Sequence, residues 1–406
     1  MHILFVNQFF WPDLAATGLL LTDLVRHLAD EGHEITVICG ASTYAVSESS
    51  AAPQARVIRV PNLPFRRAKL MRLFSYASFY AGAAWRALQV SKPDVIVTMT
   101  TPPLLSVLGH ALKVTKRARH FIWEMDLYPD IAVDLEVLPA GSPITRLIGA
   151  AANFTRRRAD GVIALGACMK RRIASHGVPE DKVHIAHNWA DGERIRPPVH
   201  RDVNGRLTIV YAGHLGMAHD IETVGAAMQQ LDARGDFRFV FVGGGPRAAE
   251  LERFSKGHSL KCAEFLPFCT RDELNQLLAC TDIGLVTQKN ACNGSLVPSK
   301  MYAQLAAGLP LLYIGPASAT PGALLDQHGC GWRIDCGRAS ELVELLQHLV
   351  RNRGEVAAKG ALAREVFLSH FDRPMSVNRI ASILGVSQQP SAETFLQTKE
   401  DRCTAY

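Results

Sequence analysis

The sequence has no Cys-x-x-Cys pair, although nine cysteines are scattered along its 406 residues. Neither a zinc site nor a disulfide framework is indicated, and the thiols are expected to stay reduced on the cytoplasmic side. No run of roughly 18 or more apolar residues occurs, so no helix is expected to span a bilayer. The opening Met1-His2-Ile3-Leu4-Phe5-Val6 lacks the basic start and longer apolar core of an export signal, and reads as a buried first strand. There is no Asp-x-Asp metal signature. Gly-x-Gly-x-x-Gly does not follow the first strand, which argues against a nicotinamide oxidoreductase. Charge of neither sign dominates: the formal net charge is +6, and 20% of residues are charged. Such a surplus speaks for phosphates or an anionic membrane only where it clusters.

What is present is a globular composition, 48% hydrophobic, in a chain long enough for two domains. Short β-branched runs alternate with longer helical stretches, the pattern of parallel sheets covered by helices. Strands are predicted at 3–6, 35–39, 57–60, 95–98, 120–123, 161–164 and 183–186. A helix at 17–30 shows Leu20, Leu21, Leu24, Val25 and Leu28 on one face. A second series follows at 207–211, 239–242, 263–266, 283–286 and 311–314. Pro197-Pro198 and the polar stretch to Gly205 read as the linker. The expected domains are 1–195 and 196–371, with a helix at 372–386 returning to the first and a loose tail at 387–406. In open α/β sheets, ligands bind where the strands' carboxyl ends face a crevice.

The densest signal lies in Ser295-Leu296-Val297-Pro298-Ser299-Lys300, closed by Ala306-Ala307-Gly308. Pro298 suits a first helical position and Gly308 the residue just past the end. Ser299 and Lys300 would then add a hydroxyl and a cation for a phosphate. An ordinary crossover helix with a surface lysine is the bland alternative. Glycines at two further strand ends, Tyr211-Ala212-Gly213-His214 and Val242-Gly243-Gly244-Gly245-Pro246, allow close approach of a ligand to the backbone. In the first half, Ala16-Thr17-Gly18 opens a helix, with Thr17 a good N-cap. After the strand at 120–123 come Glu124, Asp126 and Asp130. An acid there faces the crevice, although acids before Pro129 also suit a helix start. His110 and His120 read as packing or surface residues. His187 precedes the interdomain segment at Asn188.

These motifs resemble those of the retaining glycosyltransferases of family 4. Its marks here are Asn7-Gln8-Phe9-Phe10-Trp11-Pro12, Gly32-His33-Glu34, His187-Asn188-Trp189 and the glycine-bearing segments above. The branch that builds bacterial surface polysaccharides is the most similar. The resemblance implies the GT-B fold, two facing Rossmann-like α/β domains. It also implies transfer from a nucleotide diphosphate sugar to an acceptor hydroxyl, with no cofactor and no metal. Donor binding would involve Thr17, Gly18, Asn188, Gly213, His214, His219, Gly244, Gly245, Ser295, Leu296, Val297, Ser299 and Lys300. Asp126, then Glu124, would act at the acceptor side, with Lys300 meeting the leaving diphosphate. Ser295 and Ala303 occupy the places of the family's usual Glu-x7-Glu pair and carry no carboxylate, so Lys300 is expected to supply charge there. A nucleotide-sugar 2-epimerase and a non-catalytic sugar-nucleotide-binding subunit are the alternatives.

One segment stands apart. Residues 64–74 combine Arg66, Arg67, Lys69 and Arg72 with Phe65 and Met71, as a peripheral contact with an anionic membrane would require. The helix that follows is expected to bury Leu70, Phe74, Ala77, Tyr80, Ala84 and Leu88.

Overall fold

A computed structural model of the protein describes residues 1–13, 15–41, 51–61, 69–198 and 205–387, the side chains of 69–73 and 271 excepted. The first half alternates β1 (His2–Val6), α1 (Ala16–Asp30), β2 (Glu34–Gly40), β3 (Arg56–Val60), α2 (Lys69–Gln89), β4 (Val95–Thr98), α3 (Leu105–Lys116), β5 (Arg119–Trp123), α4 (Asp130–Asp134), α5 (Pro143–Arg158), β6 (Gly161–Ala164), α6 (Ala167–Ser175) and β7 (Val183–Ile185). The strands pair in parallel in the order β3-β2-β1-β4-β5-β6-β7. Central strands such as Ile3–Val6 are buried on both faces, which is why they read as unbroken apolar runs. One face is covered by α1 and α6, the other by α2, α3 and α5.

The second half runs β8 (Leu207–His214), α7 (Glu222–Leu231), β9 (Phe237–Gly244), α8 (Pro246–Gly257), β10 (Ala263–Leu266), α9 (Arg271–Ala279), β11 (Ile283–Thr287), α10 (Lys300–Ala306), β12 (Leu311–Ile314), α11 (Thr320–His328), β13 (Gly331–Ile334), α12 (Ala339–Arg351), α13 (Arg353–His370) and α14 (Arg373–Leu384). Its parallel sheet has the order β10-β9-β8-β11-β12-β13. The last helix, α14, leaves this half: Val377, Ile380 and Leu384 join the core beneath α1. With two parallel sheets each wrapped by helices, the chain has the GT-B fold.

Several local expectations change. Strand β13 went unmarked because Gly331-Trp332-Arg333-Ile334 is short and interrupted by a charge. Helix α1 begins at Ala16 with Ala15 as its N-cap, so Thr17 lies inside the first turn; Asp13 Oδ1 accepts the Ala15 N–H at 2.8 Å instead. Helix α10 begins at Lys300, two residues after Pro298. On α2 the expected core face is largely reversed: Phe79, Ala83 and Ala87 are buried, while Phe74, Ala77 and Leu88 are exposed. The helix is apolar all round, so spacing alone did not select the inner face. The basic run 64–68, the side chains of 69–73, and the tail from 388 lie outside the described residues.

Candidate functional site

The carboxyl ends of β1, β4 and β5 bring Asn7, Thr100 and Asp126 to one edge of the first domain. The Thr100 hydroxyl accepts the Met125 and Asp126 N–H groups at 3.3 and 3.4 Å, which turns the chain after β5 toward the other domain. There Asp126 forms an antiparallel bridge with Leu296, and Leu127 N–H donates to Ser295 O at 2.8 Å. Val297 continues this contact into the first domain's core. The loop before α10 is therefore a wedge between domains.

Lys300 sits immediately behind that wedge. Its ammonium lies 5.9 Å from the centre of the Tyr211 ring, a cation–π distance. Its stem passes Gly213, where a Cβ would stand 3.2 Å from Lys300 Cε. Burial pushes Lys300 down to about 8, against the pull of Asp126. Burial likewise pushes Asp126 up to about 6, with Lys300 lowering it and Glu124 raising it. Asp126 is itself exposed, so water works against this shift. A cation from one domain and a carboxylate from the other thus share one field at the domain junction.

Beyond Lys300, the second domain holds a cleft of about 710 Å³, within the range of small-ligand sites. Gly213, Gly243, Gly244, Gly245, Phe265 and Pro267 form much of its wall. Gly243 and Gly245 have φ near +120° and +125°, and a Cβ on either would fall 2.4 Å from a carbonyl oxygen of the β8 segment. Glycine is required here because two strand ends converge, which is also what opens the wall to a ligand. The Phe268 ring stands 3.2 Å from the places of both missing Cβ atoms at Gly243 and Gly244, with 64% of its surface exposed.

The other expected site residues divide. His214 lines the cleft. His219 does not: Nδ1–H donates to Thr287 O at 2.7 Å, leaving Nε2 to accept from the Tyr211 hydroxyl at 3.2 Å. Burial holds it neutral, down to about 3, so it supplies no cation for a phosphate. Glu124 turns into its own domain, where Arg156 Nε meets it at 2.7 Å in a fully buried pair. The space beside them, about 10 Å³, holds no more than a water. Ser295 is buried with its hydroxyl on Cys292 O, Leu296 bridges both Asp126 of the first domain and Asn293 of its own, and Val297 joins the first domain's core. Ser299 is half-buried as the residue before α10. Asn188 is buried, and its Oδ1 has no hydrogen-bond partner. Thr17 receives a weak contact from Asn7 Nδ2 at 3.5 Å, and Gly18 is pressed against the backbone of Phe9, Phe10 and Asp13.

Two contributors lie outside the motifs: Phe268 reads as a loop residue and Arg172 as one of several arginines, while Tyr211 opens a glycine-bearing motif without being singled out in it. Arg172 meets Asp130 at 2.8 Å and Asp134 at 2.7 Å, and donates across the junction to Asn293 O at 3.0 Å. Of the three, only Tyr211 carried a local signal, in the glycines that follow it.

Comparison with known proteins follows the same division. Residues 18–189 match the model of the glycosyl transferase 4-like domain, and residues 206–352 that of the glycosyl transferases group 1. WcaI of Escherichia coli (strain K12), named as a colanic acid biosynthesis glycosyl transferase, is 26% identical over 76% of this chain and 82% of its own length. WbjE of Pseudomonas aeruginosa, named as a glycosyltransferase, is 25% identical over 94% of this chain and 97% of its own. The crystal structure of Anabaena Alr3699/HepE with UDP-glucose has a TM-score of 0.69 and 17% identity, covering 95% of this chain and all of that one. At that identity the likeness concerns the fold.

Proposed function

This chain belongs to the family 4 glycosyltransferases of GT-B fold, and we propose that it moves a sugar from a nucleotide diphosphate sugar to an acceptor hydroxyl with retention at the anomeric carbon. A surface-polysaccharide or lipid-linked glycan precursor on the cytoplasmic side is the acceptor class, in keeping with the relative named for colanic acid biosynthesis. The nucleotide sugar bound by the Anabaena structure supports the donor class.

The observation that carries the reading is Lys300, held at the junction beside Gly213 and within the field of Asp126. Its ammonium meets a diphosphate whose nucleoside lies along the glycine wall, with Phe265 and Phe268 near enough to face a base. In the reaction, the bond from the anomeric carbon to the phosphate oxygen breaks, and its electron pair stays on the diphosphate. The acceptor oxygen forms the new bond on the same face, and its proton passes to the leaving phosphate oxygen. Charge thus grows on the diphosphate, where a prepositioned cation is worth most. Asp126, across the junction, orients the acceptor or steadies positive charge on the sugar ring. The proposed chemistry uses no metal.

The test incubates the full chain with a panel of nucleotide sugars, with and without lipid-linked or oligosaccharide acceptors. Product is followed by release of nucleoside diphosphate and by the anomeric configuration of the new bond. An inverted linkage would refute retention. Conversion of donor alone to an epimeric sugar would refute transfer, and a chelator-sensitive rate would refute metal independence.

A further inference from the structure

Helices α2, α3 and α5 lie side by side on the outer face of the first domain, α3 in the middle. The Ser106 hydroxyl of α3 meets Thr155 of α5 at 2.8 Å, and Lys116 at the end of α3 donates to Leu88 O of α2 at 2.7 Å. Each helix buries one stripe and turns a second apolar stripe outward. On α2 the outer stripe is Phe74, Ala77, Ala81, Trp85 and Leu88, at the three- and four-residue steps of one helical face. On α3 it is Val107, Ala111 and Val114; on α5 it is Leu147, Ala150 and Phe154. Trp85 is 65% exposed and Leu147 72%. More than half of the large apolar side chains exposed among the described residues lie on these three helices. Scattered exposed leucines need no explanation, but a contiguous patch does.

The charge on this face has one sign. No aspartate or glutamate occurs anywhere in α2, α3 or α5. Arg86, Arg146, Arg157 and Arg158 stand exposed on the helices, and Arg117 follows α3 directly. The acids that border these helices in the chain are Asp94, after α2, whose carboxylate accepts the His2 N–H at 2.8 Å, Glu136, before α5, and Asp160, after it, held by Lys113 at 2.8 Å. Arg158 also lies 5.6 Å from the Phe154 ring, so cation and aromatic are interleaved.

We propose that this three-helix face docks the protein on an anionic lipid bilayer. A protein partner burying such a patch would be expected to answer its cations with acids at fixed points. A bilayer answers them with diffuse headgroup charge, while aromatic and aliphatic side chains enter the acyl boundary. The patch lies wholly within the described residues, begins after the basic run 64–73, and needs neither that run nor the proposed reaction. Since α3 and α5 start at the carboxyl ends of the sheet, the docked face reaches the edge of the cleft.

The test is sedimentation of the full chain with vesicles of phosphatidylglycerol and phosphatidylcholine, against vesicles of phosphatidylcholine alone, at low and high salt. The mixed vesicles should bind, with binding falling as salt rises. Trp85→Ser combined with Leu147→Ser should weaken that binding roughly tenfold or more, since two fully inserted side chains are removed. Both side chains are exposed, so the thermal unfolding midpoint should hold, which separates lost docking from lost folding. Equal binding by parent and variant, or no binding of the parent at low salt, overturns the proposal. So does a self-associated parent that the same substitutions render monomeric without any vesicle effect.

Discussion

Lys300 and Asp126 each come from a different domain and meet only because the chain folds back on itself. Substituting Lys300 with alanine should weaken binding of a nucleoside diphosphate on the order of tenfold to a hundredfold, the worth of a charge-assisted contact. The nucleoside alone should bind nearly as before, and calorimetric titration of both ligands decides; equal shifts would return Lys300 to a merely buried lysine. The pH dependence follows from the same residue. Its ammonium is intact below about 8 and is lost as pH rises through that value, so diphosphate affinity should decline on the alkaline side. Lys300→Arg, which keeps its charge there, should flatten that decline. Asp126→Asn should lower turnover well before it lowers donor affinity, because Asp126 approaches the site from the acceptor domain. Turnover within twofold of the parent would remove it from the reaction.

At the scale of elements, the glycine-walled end of β8 and β9 is the least forgiving part of the site. Gly243→Ala requires a φ of +120° and places a Cβ 2.4 Å from Gly213 O. A cost of about 2 kcal/mol or more is expected, with loss of diphosphate binding, read by thermal unfolding and titration. Here the sequence was informative: three glycines after an apolar run announce close backbone approach, and the structure shows which carbonyls they accommodate. Helix α2 was the opposite case. Phe74 and Phe79 are the same residue type on the same helix, and only packing against Val60 and Ile96 makes one of them core.

At the scale of the whole molecule, the domain junction is fastened by Arg172. Burial pushes Asp130 up, but His176 and Arg172 outweigh it and hold its carboxyl below the usual range. Arg172→Ala should therefore cost about 2–3 kcal/mol near neutral pH, since Asp134 loses its arginine, Asp130 keeps only His176, and Asn293 O loses a donor. Because Asp130 is depressed in the fold, its share of that stability is present above the ordinary carboxylate value. It fades as pH falls through the native one, so parent and variant should converge in acid. Small-angle scattering should also show a more open average shape; identical scattering and midpoints would mean that the contact fastens nothing.

Most of the frame was already present in the chain's local pattern. Apolar runs of four to eight residues, separated by helical periodicity, specify two parallel sheets whatever surrounds them, because a strand buried on both faces needs an unbroken apolar sequence. Glycines marked where backbone must come close, and the wedge at 295–300 was visible as a motif. What each residue does there was not. Glu124, Asp126 and Asp130 look alike in sequence; Arg156 takes the first, the domain junction beside Lys300 the second, and Arg172 with His176 the third. His219 was expected among the donor-binding residues and is a buried, neutral packing group. Local sequence sets which stretches become strands and helices, because that depends on near neighbours and burial period. Charge state and partnership depend on groups far apart in the chain, and only the closing of two domains brings those together.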